Sequence, residues 1–195
     1  MFGNSPPKGL DRRVRRTRQA IQQALIALIL EKGYDAVTVS DIINRADVGR
    51  STFYAHFTDK QDVLFDNLDE LAAFLKAGHA HEPGRLFAFS LPMFEHVDEQ
   101  RDLVRALLGR RGGGVVITRV EQILAEIVRD ELLAAMSSDT RPPATLDLVV
   151  TCVVGAFMAL LVQRVDGDAP VTARQMDALF REVVTPGVRA ALSQK

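Results

Sequence analysis

The sequence predicts an all-α protein of nine helices, an N-terminal three-helix module followed by a longer helical body. Three observations carry that prediction. Apolar residues recur at helical spacing in nearly every segment, no stretch sustains the alternation of a half-buried strand, and Ser/Thr cap signatures or Gly/Pro breaks separate one periodic stretch from the next. A first helix over about Arg12–Lys32 places Ala20/Ile21, Ala24/Leu25 and Leu28/Ile29 on one stripe and ends at Gly33. Thr38 with Asp41 forms a capping box for a short second helix carrying Ile42, Ile43 and Ala46. Asp47-Val48-Gly49 then turns the chain into a third short helix, about Arg50–Phe57. Thr58 and Gln61 supply the box for a fourth, which runs to about Gly78 with Leu64, Leu68, Leu71 and Leu75 on one face.

Pro83-Gly84 interrupts the pattern. Residues 85–108 read as one or two helices bent at Pro92, because proline removes a backbone donor and disfavours helix in the residue before it. Gly109 and Gly112-Gly113-Gly114 mark a loop. A seventh helix follows with Val116, Val120, Ile123/Leu124, Ile127 and Leu132, ended by Asp139–Pro143. The eighth, about Ala144–Val165, is apolar almost all round, the pattern of burial on more than one side. Thr172 and Gln175 cap a ninth with Met176, Leu179/Phe180 and Val183/Val184 on its apolar face and Pro186 kinking or ending it.

Composition narrows the function. The chain has 195 residues, 47% of them hydrophobic, with 24 Lys plus Arg against 25 Asp plus Glu and a net charge of −1. That is enough apolar material for a real core and excludes a disordered or collagen-like chain. One cysteine, Cys152, excludes an intrachain disulfide framework and suits the cytoplasm. The near-zero charge conceals a division. Residues 1–60 hold ten basic and six acidic side chains, a balance of +4, whereas residues 61–195 hold fourteen and nineteen, a balance of −5. Residues 1–18 alone carry Lys8, Arg12, Arg13, Arg15, Arg16 and Arg18 against Asp11.

Two apolar runs invite a membrane reading and fail it. Ala24–Leu30 is bracketed by Gln22-Gln23 and Glu31-Lys32 without a small-residue cleavage site, and Leu148–Val162 is fifteen residues broken by Thr151 and Gly155, short of the roughly 20 that span a bilayer. No membrane association is expected.

Residues 37–57 have the layout of a helix-turn-helix, two short helices meeting at a tight glycine-containing turn. Ile42, Ala46 and Val48 can pack on Phe53 and Phe57. Arg50, Ser51, Thr52, Tyr54 and His56 are then left near the opposite face, where a recognition helix presents polar groups to the major groove. Lys60, at the start of the fourth helix, sits where free N–H groups also favour a phosphate. The basic run before the first helical stripe reads either as a solvated tail or as an arm reaching phosphates or the minor groove.

This stretch closely resembles the DNA-binding module of the tetracycline-repressor (TetR) family, through Thr38, Asp41-Ile42, Ala46, the run Val48–Phe57 and Lys60. The resemblance covers roughly residues 12–75. It implies a DNA-binding domain at 12–60 and an effector-binding and dimerisation domain at 61–195. It also implies that Thr38, Arg50, Tyr54, His56 and Lys60 lie at phosphates while Ser51 and Thr52 approach bases, with Arg50 a further base reader. Many members of the family have Ser or Thr where this chain has Gly49, and Gly where it has Ser51, so a hydroxyl contact at 49 is absent and base preference does not transfer. The expected DNA-facing set is thus Thr38, Gly49, Arg50, Ser51, Thr52, Tyr54, His56 and Lys60, with Arg12, Arg13, Arg15 and Arg16 beside it.

One recognition helix covers only a few base pairs, so two are expected, brought together by a homodimer through the helices at about 144–165 and 172–190. Gly155, Ala156 and Ala159 there permit close approach. The partner is then a pseudo-palindromic double-stranded DNA operator. The resemblance further implies a small-molecule effector held by the middle helices and antagonistic to DNA by linkage, and the apolar lining candidates there fit a hydrophobic or aromatic one. Candidate lining residues are Phe87, Phe89, Met93, Phe94, His96, Phe157 and Met158, for most of which core packing is the competing role.

An enzyme is not expected. Gly112–Gly114 lacks the Lys-Ser/Thr of a phosphate loop, His79-x-His81 with His96 or Glu82 has poor metal-ligand spacing, and Ser90 and Cys152 have no recognisable base. No cofactor or metal is expected either. The alternative function is a helical adaptor that binds another protein through the eighth and ninth helices.

Overall fold

The computed structural model describes residues 8–79, 85–108, 114–136, 143–167 and 170–193. Its elements are helices throughout: α1 (Lys8–Lys32), α2 (Val39–Ala46), α3 (Arg50–Tyr54), α4 (Lys60–His79), α5 (Ser90–Glu99), α6 (Arg101–Leu108), α7 (Gly114–Ala135), α8 (Leu146–Asp166) and α9 (Ala173–Ser193). The chain forms two compact units, Met1–Leu68 and Asp69–Lys195, divided within α4. The turns expected at Pro83-Gly84, at Gly109 and Gly112-Gly113, and at Asp139–Pro142 lie outside the described residues.

In the first unit α1 packs on α2 and buries Ile21, Ala24, Leu25, Leu28 and Ile29, the stripe that the periodicity indicates. Gly33 closes α1 at φ 78°, its N–H donating to the Ile29 carbonyl at 2.9 Å. Both arms of the Thr38/Asp41 box are present: the Asp41 N–H donates to Thr38 Oγ1 at 3.2 Å and the Thr38 N–H to Asp41 Oδ2 at 2.8 Å. The Thr38 hydroxyl and Lys32 Nζ also donate to the Asp41 carboxylate, at 2.6 and 2.8 Å. Together these hold the Asp41 carboxyl well below the usual carboxylate range, the Lys32 ammonium contributing most. The cap of α4 differs from expectation. Asp59 rather than Thr58 accepts the Asp62 N–H, at 2.8 Å, and Asp62 rather than Gln61 reaches back to the Thr58 N–H, also at 2.8 Å. Asp is as good an N-cap as Thr, and the frame one residue later lets its carboxylate face the helix start.

In the second unit the break near Pro92 lies elsewhere. Pro92 is the third residue of α5, in the first turn, where its missing N–H has no intrahelical partner to lose, and the two helices part at Gln100. The C-terminal end of α8 is closed by arginines. Arg105 Nη2 donates to the Val165 carbonyl at 2.9 Å, Arg101 donates to the carbonyls of Arg164 and Gly167, and Arg164 grips Asp98 bidentately at 2.7 and 2.8 Å. Thr172 and Gln175 cap α9 reciprocally as expected, and α9 continues through Pro186 to Ser193 instead of ending there.

The core of this unit is aromatic. Phe157 is fully buried, its ring centroid 4.9 Å from that of Phe94, 5.1 Å from Phe89 and 5.2 Å from Phe180, and Phe87 stands 5.5 Å from Phe180. Phe87 takes the left-handed φ of 61°, rare for a bulky side chain. Its backbone is held there by a buried carboxylate, Glu131 Oε2 accepting the Phe87 N–H at 2.5 Å, and by the Ser90 N–H, which donates to the Phe87 carbonyl at 3.1 Å. The buried Ser90 hydroxyl lies between that carbonyl and Asp177.

α8 is buried on one side only. Val150, Val153, Phe157, Leu161 and Val165 face the core, while Leu148, 67% exposed, continues as an open stripe through Cys152, Gly155, Ala156 and Ala159. Val183 of α9 is 68% exposed, with Leu179, also exposed, one turn earlier, so this part of the apolar face of α9 lies outside the monomer core. A groove of about 460 Å³ runs between the two helices, lined among others by Leu148, Cys152, Val183, Val184 and Gly187. At 21 residues α8 is long and apolar enough to cross a membrane by length and composition. Its core-facing side packs on α7 and α9, as in a helical bundle.

Candidate nucleic-acid interface

The helix-turn-helix forms as its residues require. Ile42, Phe53 and Phe57 are buried, with the Phe53 and Phe57 rings 6.1 Å apart, and they fix α3 against the module. The left-handed residue of the Asp47-Val48-Gly49 turn is Asp47 at φ 51°, a conformation aspartate tolerates. Gly49 is extended (φ −69°, ψ 150°) and serves as the N-cap of α3 without a side-chain hydrogen bond. A Cβ there would meet Thr52 Oγ1 at 3.6 Å and Ser51 Oγ at 3.9 Å, ordinary contacts. Gly49→Ser is therefore expected to stabilise the protein by about 0.5 kcal/mol through a new cap, visible as a small rise in thermal midpoint; a fall would show that glycine is required there.

With Phe53 turned inward, Arg50, Ser51 and Tyr54 are exposed and Thr52 and His56 half-exposed. The Arg50 guanidinium carbon lies 5.8 Å from the Tyr54 ring centroid, and the Tyr54 ring meets Phe53 edge-on at 5.4 Å. A pre-oriented cation, an aromatic hydroxyl and two small hydroxyls thus share one short helix, a set suited to phosphate oxygens and base edges. Thr38 is exposed, but its hydroxyl already donates to Asp41 at 2.6 Å.

The remaining cations of this unit fall into two groups. Arg12, Arg13, Arg15 and Arg16 stand exposed on the first turns of α1, as parts of a helix and not of a loose arm; Arg12, Arg15 and Arg16 with Gln19 line one concave patch. Arg18 belongs to the scaffold. It pairs with Asp66 at 2.5 Å beneath Gln22, which donates to the same carboxylate at 2.9 Å, and it lies 4.7 Å from the Phe57 ring centroid. Lys60 Nζ is directed at backbone carbonyls: Val37 at 2.9 Å, Tyr34 at 3.0 Å and Asp35 at 3.3 Å. Sequence spacing did not reveal the roles of Asp66, Gln22 and Tyr34, since each acts on a residue more than twenty positions away. An acid in the apolar run Val63–Leu64–Phe65–Asp66 was the one available signal.

Of the residues proposed to line an effector pocket, Phe87, Phe89, Phe94 and Phe157 are fully buried in the ring cluster and Met93 and Met158 are also buried. His96 is half-buried, and burial lowers its pKa below 6.5, opposed by Glu99. The folded state then binds fewer protons than the unfolded one, so His96 contributes stability above pH 6.5 that is lost as pH falls through its lowered folded value. His96→Gln is expected to flatten the acid-side slope of stability in that window, as measured by denaturant titration across pH. His79 and His81 lie outside the residues with described side chains, and the remaining described residues hold no cluster of three metal-ligating groups.

Known proteins share both the module and the fold. Residues 21–66 match the model for the bacterial regulatory proteins of the tetR family. The chain is 39% identical over 71 residues to the uncharacterized HTH-type transcriptional regulator YxbF of Bacillus subtilis, a match covering 33% of this chain and 19% of that protein. Over nearly its whole length it is similar in fold to a TetR transcriptional regulator from Streptococcus agalactiae, with TM-score 0.67 and 24% identity over 89% of this chain and 96% of the other. It is likewise similar to Thermus thermophilus FadR, a TetR-family repressor solved with lauroyl-CoA, with TM-score 0.57 and 16% identity over 87% and 94% of the two chains. Residues 21–66 are thus similar to the amino-terminal module of the tetR family of bacterial regulatory proteins, and the chain shares the helical fold of solved TetR regulators.

Proposed function

We propose that the protein is a cytoplasmic transcriptional regulator, a repressor that binds a pseudo-palindromic operator as a homodimer and is released by a small apolar effector. The observation that carries this reading is the outward face of α3, where Arg50, Ser51 and Tyr54 are exposed over a buried Phe53 anchor. Thr38, Gly49, Thr52 and His56 flank that face, and the α1 arginines 12, 13, 15 and 16 add positive charge in the same unit. The open stripe of α8 and α9 supports the dimer: Leu148 and Val183 are about two-thirds exposed beside small residues that let helices approach closely. A lipophilic effector group is supported by the aromatic core, and the lauroyl chain of the lauroyl-CoA in the Thermus relative is of that kind. Since the rings pack on one another, an effector among them must part Phe157 from its neighbours, and by linkage whatever favours the parted state disfavours the DNA-bound one.

The test is selection of bound sequences from a random DNA pool, with the mass of the free protein measured by sedimentation. Enrichment of a two-fold symmetric site with half-sites about 34–36 Å apart is expected, together with a dimer that Leu148→Glu and Val183→Glu dissociate. A dimer that enriches no sequence would favour the adaptor reading, which rests on the same exposed α8/α9 stripe.

A further inference from the structure

We propose that Lys60 is a positioning residue that locks together the two ends of the helix-turn-helix, and not a phosphate ligand; the inference rests on the DNA-binding reading above. An ammonium has three N–H donors and no acceptor. In Lys60 all three have carbonyl partners, those of Val37, Tyr34 and Asp35 at 2.9, 3.0 and 3.3 Å. The ammonium also lies 4.5 Å from the centroid of the Tyr34 ring, whose face attracts a cation. Tyr34 and Val37 are themselves buried, so this cradle is part of the module's core edge. Moving the ammonium onto a phosphate would strip three carbonyls of their charged donor, each such bond being stronger than a neutral one.

The placement explains what the contact does. Residues 34–37 lead into Thr38, the cap of α2, and Lys60 is the first residue of α4. Between them lie α2, the turn at Asp47 and α3. Lys60 therefore joins the entry of that segment to its exit, fixing the loop that carries Arg50, Ser51 and Tyr54 by its two ends. Closing a loop in this way removes the freedom its ends would otherwise have, and a recognition helix so held arrives at DNA already oriented. Asp66, one and a half turns further along α4, makes a parallel connection to α1 through Arg18 and Gln22, so the same helix is tied at two levels.

Lys60→Met keeps the apolar stem and removes the donors; Lys60→Arg retains donors. Three measurements decide, with active protein counted by stoichiometric titration against the operator. Lys60→Met is expected to bind the operator about tenfold more weakly, equivalent to about 1.4 kcal/mol, with the slope of log K against log salt unchanged. Amide hydrogen exchange over residues 37–48 of the DNA-free variant is expected to rise about tenfold. Lys60→Arg should restore most of both. A slope shallower by about 0.9 would identify Lys60 as a phosphate contact and overturn the proposal. Unchanged affinity would overturn it too, leaving the contact merely structural, as would unchanged exchange. Should Lys60→Met not fold, Lys60→Gln, which retains an amide donor, is read by the same criteria. If the wild-type protein selects no DNA, the DNA-binding reading and with it the positioning role fall, while exchange separately decides whether the lock exists.

Discussion

Replacing Arg50 and Ser51 by alanine and Tyr54 by phenylalanine is expected to abolish sequence-specific DNA binding while leaving the protein folded. The three side chains are exposed, and Tyr54→Phe keeps the ring that meets Phe53 at 5.4 Å, so the cost to stability should stay within about 0.5 kcal/mol. Each well-placed base or phosphate contact contributes roughly 1–3 kcal/mol, so losing three should weaken operator binding by at least about a hundredfold and bring it towards the non-specific level. Fluorescence anisotropy with the selected operator and a scrambled duplex measures both limits. Retained operator affinity in the triple variant would remove α3 from the recognition role, whatever the remaining arginines do. Loss of affinity for both duplexes to the same extent would instead make these residues backbone contacts.

Phe157→Ala is expected to be the most destabilising single change in the second unit. The ring is fully buried and packed on Phe89, Phe94 and Phe180 with centroids within about 5 Å, so truncation removes burial and leaves a cavity that three rings cannot collapse to fill. Buried phenylalanine truncations cost about 3–5 kcal/mol, which in a chain of this size lowers the thermal midpoint by about 10 °C. Calorimetry or denaturant titration reads the result. A loss under about 1 kcal/mol would show that the ring lines an open pocket whose walls already lack partners. The same cavity gives the effector proposal a handle: a lipophilic ligand that competes for the site should restore stability to Phe157→Ala more than to the wild type.

The helix count, the order of the elements and most of their limits were legible in the sequence, because local spacing determines them. The stripe of α1, the Gly33 stop, and the Thr38/Asp41 and Thr172/Gln175 boxes depend only on residues within a few positions of one another. Where local signals competed, the finer choice was missed: Asp59 took the α4 cap from Thr58. Pro92 likewise read as a bend in isolation but falls in a first turn that accommodates it. In the candidate site, the identity of the outward residues of α3 followed from the inward demand of Phe53 and Phe57, an amphipathic constraint visible at short range.

The sequence by itself thus determined the fold class, the helix-turn-helix and its polar face. Only the tertiary structure decided which cations bond to distant groups of the chain itself, since an arginine or lysine looks alike in sequence whether it meets solvent or a distant acceptor. The uneven charge of residues 1–60 consequently divides into two populations. Arg12, Arg13, Arg15, Arg16 and Arg50 stand exposed; Arg18, Arg45, Lys32 and Lys60 bond to Asp66, Glu31, Asp41 and the 34–37 carbonyls, Arg45 and Lys32 doing so at the exposed surface. Tertiary structure also decided the fate of the apolar surplus. The Phe cluster closed around Phe157, and the residue periodicity of α8 and α9 could not say that Leu148 and Val183 would face outward, because their burial depends on which neighbours the folded chain supplies.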